Sequence, residues 1–289
     1  MSQIKRAIVF VHYDKDNLVD AYVYFYLEAL KQHSTHLVFV TTSTLSKEDY
    51  EKVSQLCSNI IERKNIGYDF MSYKVGLASF DYTKYDELLI CNDSVYGPFY
   101  PLASLFERMS NTQCDFWGIT DNNDMAYHLQ SYFLLFKKPL LLTPAFSTFW
   151  EGVTVLDDKD EIIETYEVGL TTHFQIEGFT PAVAIAFKVS KLQKISIFIR
   201  KLTPQKIFHK LSSIVKKEYP ITRVGKVNAT LYFWRALILD YKMPFIKIKL
   251  LRENPNNINI NKVEHVLSSA SNYDTNLIKN HLARMQEES

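Results

Sequence analysis

Asn92-Asp93-Ser94 is the stretch whose residue types best suit chemistry. It follows the apolar run Leu88-Leu89-Ile90-Cys91 and precedes Val95-Tyr96-Gly97-Pro98. Such a run reads as a buried strand, and open α/β sheets bind ligands at the carboxyl ends of their strands. Asp93, with Asn92 and Ser94, offers the oxygen atoms that hard Mg²⁺ or Mn²⁺ prefers, so Asp93 is the candidate metal ligand. Asn, Asp, Ser and Gly-Pro are also ordinary turn formers, and taken alone the stretch reads first as a turn. A second group lies in the loop Arg63-Lys64-Asn65-Ile66-Gly67, which leads into a helix expected from about Phe70 with Asp69 as its cap. Arg63, Asn65, Gly67 and the helical Lys74 would gather near a helix N-terminus, an arrangement that suits a diphosphate. A solvated loop with surface charges accounts for them equally well. Glu164 and Glu167, three residues apart on a later helix, share one face; by spacing alone that is a solvated acidic face. His128 borders an apolar run, where structural histidines outnumber ligands.

These residues need a scaffold, and the chain supplies one in a regular order. Ala7-Ile8-Val9-Phe10-Val11 is continuously apolar and β-branched or aromatic, so it is expected to be a strand buried on both faces, ending at His12-Tyr13-Asp14. A helix over residues 18–32 follows, capped by Asp16 or Asn17. Leu37-Val38-Phe39-Val40 is a second strand, ending at Thr41-Thr42-Ser43. Ser46 with Asp49 forms a capping box with Asp in place of Glu, opening a helix to about Cys57. Residues 59–63 make a short third strand, and 88–90 a central one. Strand–helix–strand repetition predicts a parallel sheet. Later expectations are a helix over 102–109, a strand over 115–119, another over 128–136, and a helix over 162–174 capped by Asp160. A helix over 228–241, a short strand and turn over 243–255, and a polar helical tail complete the chain.

Composition sets limits on function. The protein has 289 residues, 47% of them hydrophobic and 22% charged, as expected of a globular protein with one sizeable core. A net charge of +1 provides no field toward nucleic acid, so no nucleic-acid partner is expected. Aromatic residues reach 14%, which serves a core or a sugar cleft alike. The three cysteines, Cys57, Cys91 and Cys114, have neither disulfide nor zinc spacing and fit a reducing cytoplasm. No run is long enough for a signal peptide or a spanning helix. From about Ser190 the chain turns basic and amphipathic through Lys217, which reads as a solvated face before it reads as a peripheral membrane contact. His12-Tyr13-Asp14-Lys15 stands where a dinucleotide-binding fold keeps its glycine-rich turn, which argues against a dehydrogenase.

Five blocks carry a resemblance. They are Asn65-Ile66-Gly67-Tyr68-Asp69-Phe70, the stretch Tyr85 through Pro98, His128-Leu129-Gln130-Ser131-Tyr132-Phe133, Tyr166-Glu167-Val168-Gly169-Leu170, and Pro244-Phe245-Ile246-Lys247 with Leu250-Leu251-Arg252-Glu253-Asn254-Pro255. In this order the chain resembles the rhamnan synthesis protein F family of bacterial polysaccharide glycosyltransferases, over about residues 6–260. More distantly it resembles GT-A sugar-nucleotide transferases. The resemblance implies an α/β fold with a GT-A-like, Rossmann-type, mostly parallel central sheet flanked by helices. It implies a catalytic domain over 1–188 and a helical C-terminal extension over 189–289 packing on that domain. It places Asn92-Asp93-Ser94 at the metal-and-diphosphate motif, where the usual motif has two carboxylates and this sequence has Asp93 alone. Glu167 falls at the general base of inverting enzymes, with Glu164 as the fallback.

The implied reaction moves a sugar, rhamnose from dTDP-rhamnose first and galactofuranose from a UDP donor next, onto a lipid-linked glycan. The implied cofactor is a divalent cation, and the implied location is the cytoplasm at the inner face of the plasma membrane. His12, Tyr13, Asp14 and Thr41 would meet the nucleoside. Arg63, Asn65, Gly67 and Lys74 would face ribose and diphosphate. Lys247 and Arg252 would reach over the phosphates or tie down the C-terminal segment. Trp117, His128 and Gln130 would line the acceptor side. The lone carboxylate keeps a second class open: a non-catalytic assembly protein of the polysaccharide machinery.

Overall fold

The strand Arg6–His12 (β1) is wholly buried and lies inside a seven-stranded sheet. The computed structural model describes residues 4–123, 125–190, 228–255 and 258–286. With β2 (His36–Thr41), β3 (Asn59–Glu62), β4 (Glu87–Asn92), β6 (Phe116–Gly118), β9 (Phe133–Lys137) and β10 (Pro181–Val183), the sheet order is β10-β6-β9-β4-β1-β2-β3. β1 runs parallel to β2 and β4, and β2 parallel to β3. β9 is antiparallel to both β4 and β6, and β10 is parallel to β6. This is the expected mostly parallel sheet with flanking helices. A two-residue strand, β5 (Val95–Tyr96), pairs outside it with Ile246–Lys247.

Alternation explains why β1 and β4 read as unbroken apolar runs. Ile8, Phe10, Leu89 and Cys91 face one layer of the core, while Ala7, Val9, Val11, Leu88 and Ile90 face the other. Both faces carry helices, so both sets are dry. After the helices Ala21–Lys31 (α1) and Lys47–Leu56 (α2), the helix Tyr68–Ala78 (α3) lies close against one face. A Cβ added at Gly76 would stand 2.4 Å from Val9 Cγ1 and 3.0 Å from Val40 Cγ2, so only glycine allows this approach.

The elements depart from the sequence-based expectations at instructive points. The helix Lys47–Leu56 has the expected cap: Ser46 Oγ accepts from Asp49 N–H at 3.0 Å and donates to its carboxylate at 2.9 Å. The helix Ala21–Lys31 starts three residues later than expected, because the Asp14 carboxylate takes the N–H groups of Asp16 and Leu18 into a loop. Residues 128–136 form two strands, His128–Leu129 (β8, antiparallel to Asp121–Asn122, β7) and β9, separated by Gln130–Tyr132. Helix Pro144–Gly152, capped by Thr143, was hidden inside an apolar stretch. Asp158, not Asp160, caps the helix that begins at Lys159, accepting from Glu161 N–H at 2.8 Å. The expected polar tail is two amphipathic helices, Ile260–Ala270 and Asn276–Gln286, whose Val263, Val266, Leu267, Ile278 and Leu282 join the core. The basic stretch from Lys191 to Lys217 lies outside the described residues. Among the described residues no helix is long and apolar enough to cross a membrane.

Gly76→Ala tests the packing of α3. Overpacking a filled core costs about 1–3 kcal/mol, and urea denaturation should show a loss of that size. An unchanged midpoint would mean that α3 can move off the sheet freely.

Candidate active site

Connections from β1 and β4 leave in opposite directions along the sheet, and ligands of open α/β sheets bind at that switch point. Here a cleft of about 800 Å³ opens at the carboxyl ends of the two strands. It is bordered by Tyr13 and Asp14 after β1, Asn92-Asp93-Ser94 after β4, Asp69 on α3, Ser131 before β9, and Glu167. A smaller cavity of about 410 Å³ adjoins it and shares Tyr13, Tyr68 and Asp69 with it.

Two aspartates from different elements stand on one side of the cleft. Asp93 Oδ2 accepts the Tyr13 N–H at 2.9 Å, and the Tyr22 hydroxyl donates to the Asp93 carbonyl at 3.3 Å. Asp69 Oδ2 accepts from Asn92 Nδ2 at 2.8 Å. Burial pushes the Asp93 carboxyl well above the ordinary carboxylate range, and the charge on Asp69 adds to the push. Burial likewise raises Asp69, opposed by the Asn92 hydrogen bond and reinforced by the charge on Glu167. Each aspartate thus keeps one oxygen outside these hydrogen bonds. The two carboxyls border one cleft and make a set of oxygens of the type that a hard cation takes. Asn92 and Ser94 are not part of that set: Asn92 Oδ1 accepts from Ser94 N–H at 3.2 Å and Oγ–H at 2.7 Å, so the pair braces the turn.

Glu167 projects from a widened turn. The helix passes from Lys159–Ile162 through a π-helical segment, Ile163–Val168, into Gly169–Ile176. Gly169 N–H reaches back to the Glu164 carbonyl, the five-residue step that defines the widening. Both sides of the segment are fastened. The Tyr166 hydroxyl accepts from Thr154 N–H at 2.8 Å and donates to its carbonyl at 3.0 Å. Thr171 Oγ1 accepts from Leu129 N–H at 3.1 Å. Glu167 Oε1 then accepts from both the N–H and the hydroxyl of Ser131, at 2.7 and 2.9 Å. Among the described residues the hydrogen bonds to Glu167 all fall on Oε1, and Oε2 has no hydrogen-bond partner.

The C-terminal segment closes the cleft. Lys247 enters on the strand paired with β5, its ammonium 3.8 Å above the Tyr132 ring. Burial lowers its pKa to about 8, while the negative charges of Glu167 and Asp69 hold it up. Arg252 also borders the cleft. Arg284, on the last helix, donates to the carboxylates of Asp14, Asp16 and Asp20. Asp14, Asp20 and His281 are the described residues whose potential metal-ligating atoms converge, within 4.8 Å, but the Arg284 guanidinium already neutralises both aspartates.

The other sequence-predicted residues divide by location. Tyr13, Asp14, Asn92, Asp93, Ser94, His128, Gln130, Glu167, Lys247 and Arg252 border the larger cleft; His12, Asn65 and Gly67 border the smaller. His12 stacks on Phe39, and its Nδ1 lies 2.9 Å from Thr41 Oγ1. Several expected contacts are corrected by what the side chains already hold. Asp14 is committed to Arg284 and to the loop after β1. Thr41 is fully buried beneath His12. Arg63 donates to Ser72 Oγ at 2.7 Å and to the Ile66 carbonyl, shaping its own loop. Lys74 donates to the Glu151 and Val153 carbonyls, both at 2.8 Å, joining α3 to the end of helix Pro144–Gly152. Trp117 is packed in the sheet against Phe106 and Phe133, away from the cleft. Glu164 is exposed and borders neither cavity. Sequence reasoning missed Asp69, Ser131 and Arg284 as site residues.

A model of rhamnan synthesis protein F matches residues 37–231. The chain belongs to the rhamnan synthesis protein F family. That family is one of glycosyltransferases. Virulence protein VirA of Vibrio anguillarum is 34% identical over 236 residues, covering 78% of this chain and 74% of its own. The uncharacterized protein y4gN of Sinorhizobium fredii is 33% identical over 159 residues, which is 53% of this chain and 42% of its own. A putative nucleotide-diphospho-sugar transferase from Desulfovibrio desulfuricans has a structural likeness with a TM-score of 0.36. It is 12% identical and covers 63% of this chain and 80% of its own.

Burial holds the His12 imidazole down at about 4, against the opposing pull of Asp14. Above pH 6.5 the ring is neutral folded or unfolded, and its contribution is full. As pH falls from 6.5 to 4 the unfolded chain takes up the proton first, so folding stability drops, by on the order of 3 kcal/mol in total. His12→Gln should flatten this slope in denaturant titrations between pH 7 and 4. An equally steep slope in the variant would assign the loss to other groups.

Proposed function

We propose that the cleft transfers a sugar from a nucleotide-diphosphate donor to a hydroxyl of a growing lipid-linked glycan. The observation that carries this reading is the shared border of Asp69, Asp93 and Glu167: a phosphate-handling acid pair and a braced carboxylate open on one space. The nucleoside occupies the smaller cavity beside His12, Asn65 and Gly67. The sugar and diphosphate occupy the larger one. A bound Mg²⁺ or Mn²⁺, held by Asp93 and Asp69, would offset the charge of the departing diphosphate. Lys247 adds a positive charge at the same end, and Arg252 another at the rim. His128 and Gln130 meet the acceptor.

In the reaction the acceptor oxygen bonds to the anomeric carbon while the bond from that carbon to the diphosphate oxygen breaks. Glu167 Oε2 takes the acceptor's proton, and Ser131 keeps the carboxylate aimed through Oε1. A single displacement of this kind inverts the anomeric centre. Rhamnose from dTDP-rhamnose ranks first, after the family's own name, and galactofuranose from its UDP donor second. The cytoplasmic face of the plasma membrane is where such a donor and a lipid-linked acceptor would meet. The sequence alone also admitted a non-catalytic assembly protein, on the strength of a single carboxylate after β4. Asp69, brought in by α3, supports the enzyme reading by supplying the second.

Glu167→Gln should lower turnover by about 10²–10⁴-fold while leaving nucleotide-sugar affinity within about twofold. The measurement is transfer of radiolabelled sugar, with calorimetric titration of the donor in parallel. Near-normal transfer by the variant would remove Glu167 from the chemistry.

A further inference from the structure

Tyr68 holds a backbone conformation that does not suit it. Its φ is +50°, directly after Gly67 at +71°. Side chains other than glycine and asparagine are uncommon there, because Cβ crowds the neighbouring carbonyl. At Gly67 the geometry demands glycine, since a Cβ would lie 2.3 Å from Met71 Cγ. Nothing comparable demands tyrosine at 68. The Tyr68 side chain is 48% exposed, and among the described residues its hydroxyl makes no hydrogen bond and its ring stacks on no other ring. The folded protein therefore gains little from this ring, while the backbone is strained to present it.

The ring borders both cavities, and so does Tyr13, which is 52% exposed and likewise without a ring partner among the described residues. Two open aromatic rings thus edge the passage between the smaller cavity and the cleft. The smaller cavity is lined by the uncharged polar groups of Thr42, Asn65 and Ser72, by His12 held neutral, and by two acidic residues, Asp69 and Asp157. That lining suits the hydrogen-bonding edge of an uncharged heterocycle, and a heterocycle so placed needs a flat surface against its face.

We infer that Tyr68 is the stacking platform for the donor's nucleobase, with Tyr13 beside it, and that the strained turn at Gly67-Tyr68 exists to aim that ring. This rests on the sugar-nucleotide reading and deepens it. Stacking tolerates any base, so the platform supplies affinity, while choice among bases falls to the groups lining the smaller cavity.

The test uses Tyr68→Asn and Tyr68→Phe in the full chain, with calorimetric titration of UDP, dTDP and inorganic pyrophosphate and a thermal melt of each protein. Asparagine accepts the left-handed backbone but has no ring. It should melt at the same temperature or higher, and its affinity for the nucleotide that binds should fall at least about fivefold. Its pyrophosphate affinity should be unchanged, since pyrophosphate has no base. Phenylalanine should bind nucleotide within twofold of the parent. Equal nucleotide affinity in the asparagine variant would overturn the platform alone, as would an equal loss in the phenylalanine variant. Failure of the parent to bind either nucleotide would overturn the donor reading and the platform with it.

Discussion

Buried carboxyl groups crowded around one cleft are the constraint that organises this protein. Asp69, Asp93 and Glu167 come from α3, from the end of β4 and from the widened helix, and they feel one another. Bringing carboxylates together in low dielectric is unfavourable unless each is braced or offset. The structure braces them singly: Tyr13 N–H holds Asp93, Asn92 holds Asp69, and Ser131 holds Glu167. It offsets them with Lys247, whose ammonium is itself costly to bury and is sustained by Glu167 and Asp69. Acid cluster and lysine each make the other tolerable. In the proposed function, the uncommitted oxygens of these carboxyls are what a cation and the diphosphate it carries would meet.

The second half of the arrangement is the way the chain's end returns to its beginning. Lys247 is set in place by the strand pair Ile246–Lys247 with β5, immediately after the aspartate turn. Phe99 N–H bonds the Pro244 carbonyl at 2.7 Å, and Gly97 has no Cβ because one would meet that carbonyl at 2.3 Å. Beyond it, Arg284 gathers Asp14, Asp16 and Asp20, and Tyr96 Oη lies 2.6 Å from His281 Nδ1. The loop after β1, which carries Tyr13, is thereby fixed from the far end of the sequence. A network of this kind is worth more for position than for net stability, since much of its Coulomb energy is returned as desolvation.

Local pattern made much of the scaffold readable. β1, β2 and β4 declared themselves as apolar runs, and Ser46-Asp49 declared a helix start, because those signals act over a few residues. Of the candidate site, the part at a strand end was legible: Asp93 was expected after β4 and borders the cleft there. It was hidden where position depends on backbone handedness or distance. Asp69 read as a cap, but left-handed Gly67 and Tyr68 begin the helix earlier and turn Asp69 into its first turn, facing the cleft. Glu164 and Glu167 shared a face by a count of 3.6 residues per turn, yet the π segment separates their surroundings. Arg284 meets its partners across 264 to 270 residues, beyond the reach of any spacing rule. Trp117 read as a binding residue because it ends a strand, but antiparallel β9 beside it encloses that end in the core.

A crystal structure of the protein with UDP or dTDP and Mg²⁺ at saturating concentration examines the central claim most directly. The account predicts density for the diphosphate at the mouth of β4, within ligand reach of Asp93 and Asp69 and beside Lys247, with Glu167 facing the sugar end. A nucleotide bound elsewhere, or a cleft that stays empty at saturation, would contradict it.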